Sequence, residues 1–381
     1  MDFDLSEEDA AFQHVVRDFA RREIAPQAEQ WDREATLPVD LIHRMGDLGL
    51  FGLVFPPEWG GGGASFTAFC LAVEEIGRAD QSVGITLSAG VGLGAGPIYK
   101  FGTDQQRTTW LPELVTGRAL AAFGLTEPDG GSDAGALRTR VAAHPSGGWT
   151  IDGAKAFITN SGSPITSVIT VTARHDHGGI SAFLVPAGTP GLQVDPPYRK
   201  MGWHASDTHG LALTDCVVPP DSLLGQEGAG YRNFLATLDD GRISIAALAL
   251  GCAQACLDAA GEYARSRNAF GGPIGRFQAV AFSLADMATS LEAARALVMR
   301  AAWLKDHGRP YKQAAAMAKL YATETAVTAT RAATQIFGGA GFMEDSPVAR
   351  FYRDAKVLEI GEGTSEVQRL VIAKSLGLPI T

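Results

Sequence analysis

Apolar positions change their rhythm twice along this chain. After Ser6 they fall at Phe12, Val15, Val16, Phe19 and Ile24, the three-and-four spacing that lays one face of a helix on a core. Helical segments follow over residues 41–50 and 66–77, and Leu93–Gly117 closes this part with Pro and Gly punctuation. Between them PPEWGGGGAS (residues 56–65) is rich in glycine. No Lys-Ser or Lys-Thr follows it and no strand feeds it, so it reads as a turn rather than a phosphate loop. Near Ala121 the period shortens. As far as Leu224, short β-type runs such as SAFLVPAG and GLALTDCVVP are split by turn residues, and Asp152-Gly153 inside WTIDGAKAFITN predicts a tight hairpin. A small β-barrel or sandwich fits this part. From about Tyr231 the helical period returns in four segments, roughly 231–267, 277–307, 310–337 and 347–376. The faces at Ile243, Ala247, Leu250 and Ala253–Leu257 predict a four-helix bundle. The expected architecture is multi-domain α+β: a helical domain over residues 1–120, a β domain over 121–226 and a four-helix bundle over 227–381.

Composition and charge narrow the functional classes. A chain of 381 residues can bury two or three cores. A formal charge of −10 argues against a nucleic-acid or anionic-membrane surface. No apolar run reaches the length of a membrane span, and the start, MDFDLSEEDAAF, is acidic and amphipathic, unlike a signal peptide. A cytoplasmic location is the expectation. Cys70, Cys216, Cys252 and Cys256 read as small core residues in a reducing compartment. His175 and His177 in RHDHGG could be two metal ligands. With no third ligand in sight, the pair reads as a solvated hairpin loop, and no metal is expected.

Candidate chemistry concentrates near the C-terminus. In the stretch Phe351–Gly377, Glu362 stands between Gly361 and Gly363, with helical spacing on both sides. Glycines allow a sharp turn and a close approach by another molecule. Thr364 or Ser365 can cap the following helix, and Ser365 with Gln368 has the capping-box spacing. A carboxylate at such a break, roofed by apolar groups or a ring, has a raised pKa and can act as a general base; in the open it is a solvated loop glutamate. A second candidate is AFGLTEPDGGSDAGALRTR (residues 122–140). Its Thr126, Ser132 and freed backbone N–H groups suit the carbonyl edge and phosphates of a cofactor, and equally an ordinary Asp/Gly-rich turn.

IGEGTSEVQRLVIAKSLG (residues 360–377) resembles the closing signature of the acyl-CoA dehydrogenase family. Gly124-Leu-Thr-Glu-x-x-Gly-Gly-Ser-Asp, GAKAFITN (153–160), KMGWHASDT (200–208), RNAFGGPIGRFQAVAFSLADM (267–287) and QIFGGAGF (335–342) are similar to further motifs of that family, in order, from about residue 5 to 377. The resemblance implies FAD as cofactor. Phe123, Leu125, Thr126, Gly131 and Ser132 would line its ring system, with Thr126 at the pyrimidine edge and Ser132 toward the substrate. Phe157 would lie beside the ring where many members have Trp, followed by Ile158, and Thr159 would approach the reacting nitrogen. Arg267 would meet the pyrophosphate, and Phe270, Phe277 and Gln278 the adenosine half, of the cofactor in a neighbouring subunit. Gln335, Gly338, Gly339, Thr364 and Glu366 would complete that site.

For substrate, the same resemblance places Ser206 near the CoA adenine and Asp239, Arg242 and Gly361 along the acyl pocket. Arg242 alone would otherwise read as a surface charge. Glu362 would remove the α-proton of an acyl-CoA while the β-hydrogen leaves as hydride to the flavin, giving a trans-2-enoyl thioester. Some relatives carry their base where Gly241 stands, and a glycine cannot take a proton; Glu359 is turned elsewhere by helical spacing. An electron-transfer flavoprotein would be the acceptor, and the assembly a homotetramer in fatty-acid β-oxidation. Many relatives have Tyr at the position of Gly361, so a wider pocket for branched, bulky or long acyl groups is expected. Other readings of the same fold are a flavin oxidase or monooxygenase, a dehydrogenase of carrier-protein-bound acyl groups, and a flavin-free scaffold.

Overall fold

The computed structural model describes residues 4–380, which form helical, β and helical parts in that order. Ser6 caps α1 (Glu7–Phe19), its Oγ accepting the Asp9 N–H at 3.0 Å. A π-helical turn, Ala20–Ile24, continues it. Val16 and Ile24 are buried and Phe12 and Phe19 pack at the margin, whereas Val15 lies one position further round and is half exposed. There follow α2 (Ala28–Glu34), α3 (Val39–Asp47), α4 (Phe66–Ala79), α5 (Gln81–Ala89), α6 (Gly96–Phe101) and α7 (Asp104–Val115). Ser65 caps α4, Asp80 caps α5, and Thr103 with Gln106 forms a capping box on α7. The glycine run before α4 is a turn, packed so closely that a Cβ on Gly61 would lie 2.0 Å from the Phe55 carbonyl oxygen.

Eight strands then make one mixed sheet: β1 (Leu120–Gly124), β2 (Arg140–Ala143), β3 (Trp149–Thr159), β4 (Thr166–His175), β5 (Ile180–Pro186), β6 (Leu192–Val194), β7 (Thr208–Val218) and β8 (Leu223–Leu224). The order is β6-β7-β3-β2-β4-β5-β8, with β1 parallel to the first half of β4. Alternate side chains of β3 and β7 (Ile151, Leu211, Leu213) meet those of β4 and β5 (Ile169, Val171, Phe183) in one core, so the sheet folds over on itself. The Asp152-Gly153 hairpin does not form. These residues lie inside β3, where the register against β7 shifts. Gly153 has φ +152°, and a Cβ there would lie 2.5 Å from Thr139 Oγ1, so the glycine serves a bulge and a close strand crossing.

The last part is the four-helix bundle: α8 (Gly230–Ser266), α9 (Gln278–Asp306), α10 (Lys312–Phe337), and a fourth member broken into α11 (Pro347–Ala355) and α12 (Ser365–Ser375). A short ribbon, β9 (Asn268–Ala269) with β10 (Gly272–Pro273), joins α8 to α9. By length and composition α8 could cross a membrane, but 78% of its apolar window is buried inside the protein. It is the axis of the structure. α9, α10, α4 and α5 all pack on it, and one continuous apolar core runs from Val16 and Phe69 through Ile243 and Leu250 to Ala315 and Leu358. Approach between α4 and α8 is backbone-close: a Cβ on Gly251 would lie 2.3 Å from the Glu74 carbonyl oxygen.

The turn after β1 is held from beneath by a buried ion pair. Lys155 Nζ, fully enclosed, lies 2.7 Å from Glu127 Oε1 and 3.3 Å from both the Leu125 carbonyl and Thr172 Oγ1. The remaining capacity of Glu127 is taken by Thr139 Oγ1 (2.6 Å), Thr139 N–H (3.0 Å) and Arg138 N–H (2.6 Å). Lys155→Met leaves this carboxylate buried without its cation, and such a loss costs about 3–5 kcal/mol. The denaturation midpoint should fall accordingly; an unchanged midpoint in urea would show that the pair contributes nothing.

Candidate functional site

Glu362 occupies the break between α11 and α12. After α11 a 3₁₀ turn, Lys356–Glu359, leads into a loop where Glu362 adopts φ +52° and Gly363 φ +97°. A left-handed glutamate is costly and persists only when its surroundings hold it. Thr364 caps α12, its Oγ1 accepting the Val367 N–H at 3.3 Å. The Ser365–Gln368 box does not form. Gln368 instead turns back and donates its amide to the carbonyls of Gly363 (2.8 Å) and Glu362 (3.4 Å). Lys319 of α10 donates its ammonium to the same Gly363 carbonyl at 2.8 Å. Two buried donors from two helices therefore clamp the loop. Gly361 has no such constraint: its φ is ordinary, and a Cβ there would meet only the Val357 carbonyl at 3.4 Å.

The side chain of Glu362 points at α8. A Cβ built on Gly241 would lie 1.9 Å from Glu362 Oε2, so the carboxylate fills the space that Gly241 leaves empty. Oε2 is closed off from solvent and has no hydrogen-bond partner among the described residues. Burial pushes this carboxyl up to about 7, against the pull of the Lys319 and Arg242 charges. The Lys319 ammonium is itself drawn down to about 8 by burial, with Glu362 opposing. Arg242 is buried and paired through Nη1 with Asp239 Oδ1, one turn before it on α8. Asp240 faces the other way, taking Lys305 Nζ at 2.7 Å, the Tyr311 hydroxyl at 2.6 Å and Lys100. Glu359 is occupied by Lys356 Nζ at 2.5 Å.

The end of β1 reaches the same helix. Phe123 stacks on Phe234 with ring centroids 3.8 Å apart, and Phe234 lies two turns, about 10 Å, before Gly241 on α8. Leu125 is buried, Thr126 half-buried, and Gly131 and Ser132 are exposed beyond it. Across the sheet Phe157 is held at φ +61° with 66% of its surface exposed, its ring 5.1 Å from that of Tyr198. Thr159 is half-buried. Ile158 points into the β core, so its side chain faces away from Phe157 and Thr159. Ser206 is buried with its Oγ unpartnered, in a loop whose Trp203 N–H donates to Asp354 Oδ1 of α11 at 2.6 Å. That side chain lies beneath the surface.

Arg267, Phe270, Phe277 and Gln278 lie at the far end of α8 and the start of α9, all exposed. Phe270, 90% exposed at φ +51°, makes an edge contact with Phe277, and Arg276 covers the Phe277 ring. Gln335, Gly338 and Gly339 are exposed at the end of α10, and a Cβ on either glycine would meet nothing within 4 Å. Along α8, Arg267 is about 39 Å from Gly241. Thr364 is half-buried as the cap, and Glu366 is exposed. The structure thus brings together Glu362, Gly361, Gly241, Asp239 and Arg242 at one end of α8, and sets the Arg267 group apart at the other. Lys319, Phe234 and Tyr198 escaped the sequence reading, and Gln368 entered it only as a capping partner. Lys319 was findable, because it falls on the stripe of Ala315, Ala322 and Ala326, where a charge is out of place.

Comparison with known proteins places the whole chain. Residues 6–118 match the description "Acyl-CoA dehydrogenase, N-terminal domain", 122–216 its middle domain and 228–377 its C-terminal domain. The chain is 49% identical to a probable acyl-CoA dehydrogenase of Bacillus subtilis, covering 99% of this chain and 100% of that one. It superposes on butyryl-CoA dehydrogenase from Megasphaera elsdenii with a TM-score of 0.96 at 42% identity, covering 99% and 100% of the two chains. An acyl-CoA dehydrogenase from Bacillus anthracis complexed with FAD gives 0.93 at 32% identity, covering 98% of this chain and 67% of that one.

Three outcomes are expected at and around the Glu362–Gly241 contact. Gly241→Ala must push the carboxylate aside, and a displacement of about 1 Å costs on the order of 10²-fold in turnover; a variant with full turnover would mean that Glu362 does not act from this position. With Glu362 as the base, only its ionised form reacts, so kcat/KM should rise with pH to a plateau above about 7. Lys319→Met removes a cation that favours ionisation, so its inflection should move to higher pH. An inflection unmoved in the pH–rate profile would separate Lys319 from the titration.

Proposed function

The chain belongs to the acyl-CoA dehydrogenase family, and from that premise we propose that it dehydrogenates an acyl-CoA between Cα and Cβ with FAD, using Glu362 as the base. The observation that carries this assignment is the Glu362 carboxylate seated against Gly241, its Oε2 closed off and unpartnered among the described residues, and its pKa raised to about 7. At that value the group ionises near neutral pH and still binds a proton strongly enough to take one from carbon. The backbone N–H of Glu362 has no partner among the described residues and is available to a thioester carbonyl as it becomes an enolate oxygen. Arg242 and Lys319 hold positive charge around the carboxylate without bonding to it, which leaves its lone pairs free.

The residues present suit a flavin. Exposed Phe157 offers a ring face, Thr126 and Thr159 offer hydroxyls, and the open backbone at Gly131, Gly338 and Gly339 admits close approach. FAD, when bound, supplies the acceptor for the β-hydrogen and its electron pair. We assign Phe123, Leu125, Thr126, Gly131, Ser132, Phe157 and Thr159 to its ring end, with Thr364 and Glu366 nearby. Arg267, Phe270, Phe277, Gln278, Gln335, Gly338 and Gly339 are assigned to the adenosine end of a cofactor held by another subunit. The span of about 39 Å along α8 supports that division and with it a homo-oligomer, a tetramer in this reading. Three units, residues 1–120, 121–226 and 227–381, a cytoplasmic location with all four cysteines reduced, and an electron-transfer flavoprotein as acceptor belong to the same proposal.

For substrate, the likeness to butyryl-CoA dehydrogenase supports a short acyl chain, and Gly361 supports added room beside Cα and Cβ. We infer that branched short acyl-CoAs are accepted. Turnover with an artificial electron acceptor should drop about 10²–10⁴-fold in Glu362→Gln while the yellow colour of bound flavin persists. A variant of undiminished rate would refute the assignment. Gly361→Tyr should lower kcat/KM for isobutyryl-CoA at least about tenfold relative to butyryl-CoA; equal losses on both substrates would mean that the position does not sense branching.

A further inference from the structure

The turn between β4 and β5 carries chemistry that the dehydrogenation does not use. His175, the last residue of β4, is buried, with its ring packed edge-on against Trp149 at 5.6 Å. His177, two residues on, is exposed and stacks on His175 with ring centroids 4.8 Å apart. Between β8 and α8 the chain returns to this turn and delivers Glu227. Its Oε1 lies 3.2 Å from His177 Nε2 and 3.7 Å from His175 Nδ1. One donor atom from each of the three side chains falls within 4.8 Å of the others.

The distances of Glu227 Oε1 to the two ring nitrogens, 3.2 and 3.7 Å, suit a small cation, and the two histidine nitrogens must draw together to complete its set. A tetrahedral ion with bonds of about 2.0–2.2 Å keeps its donors roughly 3.3–3.6 Å apart. The buried histidine is also oriented as a ligand needs to be. His175 Nε2 is hydrogen-bonded to Ser181 Oγ at 2.7 Å, and Ser181 Oγ accepts the Gly228 N–H at 2.8 Å. With Nε2 engaged there, Nδ1 is the nitrogen turned toward Glu227. An outer hydrogen bond on the far nitrogen is how metal-bound imidazoles are fixed in place. Only His177, at the surface, needs to rotate to close the set. We propose that His175 Nδ1, His177 Nε2 and Glu227 Oε1 bind one divalent transition-metal ion of the zinc class. The ion fastens the β4–β5 turn to the segment leading into α8, and water completes its coordination. The dehydrogenation residues take no part.

The test uses the tag-free, FAD-loaded protein, dialysed against chelator and titrated with Zn²⁺ by calorimetry. Co²⁺ absorption serves as an independent readout of tetrahedral coordination. The wild type should bind one zinc per chain and melt at higher temperature with it. His177→Ala and Glu227→Gln, both changes at exposed side chains, should abolish the binding heat and the Co²⁺ bands while acyl-CoA turnover is retained. Ser181→Ala should weaken zinc binding about tenfold. Wild-type-like zinc binding in the His177→Ala/Glu227→Gln double variant overturns the proposal. So does a wild type that shows neither binding heat nor Co²⁺ bands, which leaves the three side chains as a hydrogen-bonded surface cluster.

Discussion

A carboxylate confined against a helix backbone organises this protein. Glu362 needs space that no ordinary residue on α8 would leave, and Gly241 provides it. The loop must then be held in a left-handed conformation, which Lys319, Gln368 and the Thr364 cap accomplish from two sides. Neither arrangement is stable alone. The glycine would be a weak point in a long buried helix, and the loop would relax without its clamps. An ionised group enclosed without a partner also opposes folding. With the carboxyl raised to about 7 from its ordinary value near 4.5, ionisation costs stability as pH rises through that interval. The extensive apolar core around α8 offsets the loss.

Three of the seven described non-glycine residues with positive φ, Glu362, Phe157 and Phe270, sit where a cofactor or substrate is expected to arrive. At Phe157 and Phe270 the strain is coupled to exposure of a large aromatic side chain, which a monomer in water has no reason to favour. Both observations are accounted for when the rings are partners of a bound molecule or of a second chain.

Much of this was legible in the residue order. The two changes of apolar period located the helical, β and helical parts, and the glycines around Glu362 located the break between α11 and α12. The misreadings share a cause. Asp152-Gly153 has the composition of a turn, but Thr139 on a neighbouring segment needs the glycine, so a continuous strand with a bulge results. Ser365 and Gln368 have capping spacing, but the free carbonyls of Glu362 and Gly363 draw Gln368 away. His177 is exposed on the hairpin turn as read, but His175 is buried, because Trp149, Phe183 and Ser181 on the neighbouring strands close over its ring. Local pattern gave the elements; contacts between distant segments decided which side chains met.

The interior that α4 and α5 share with α8 bears on how the protein is made. α5 ends at Ala89 and α8 begins at Gly230, so the whole β part is synthesised between two halves of one interior. While the chain leaves the ribosome, Phe69, Val73 and Ile76 have no completed surface to bury against. The nascent N-terminal helices therefore expose an apolar face until the last third emerges, the condition under which chaperones hold a chain and crowding promotes aggregation.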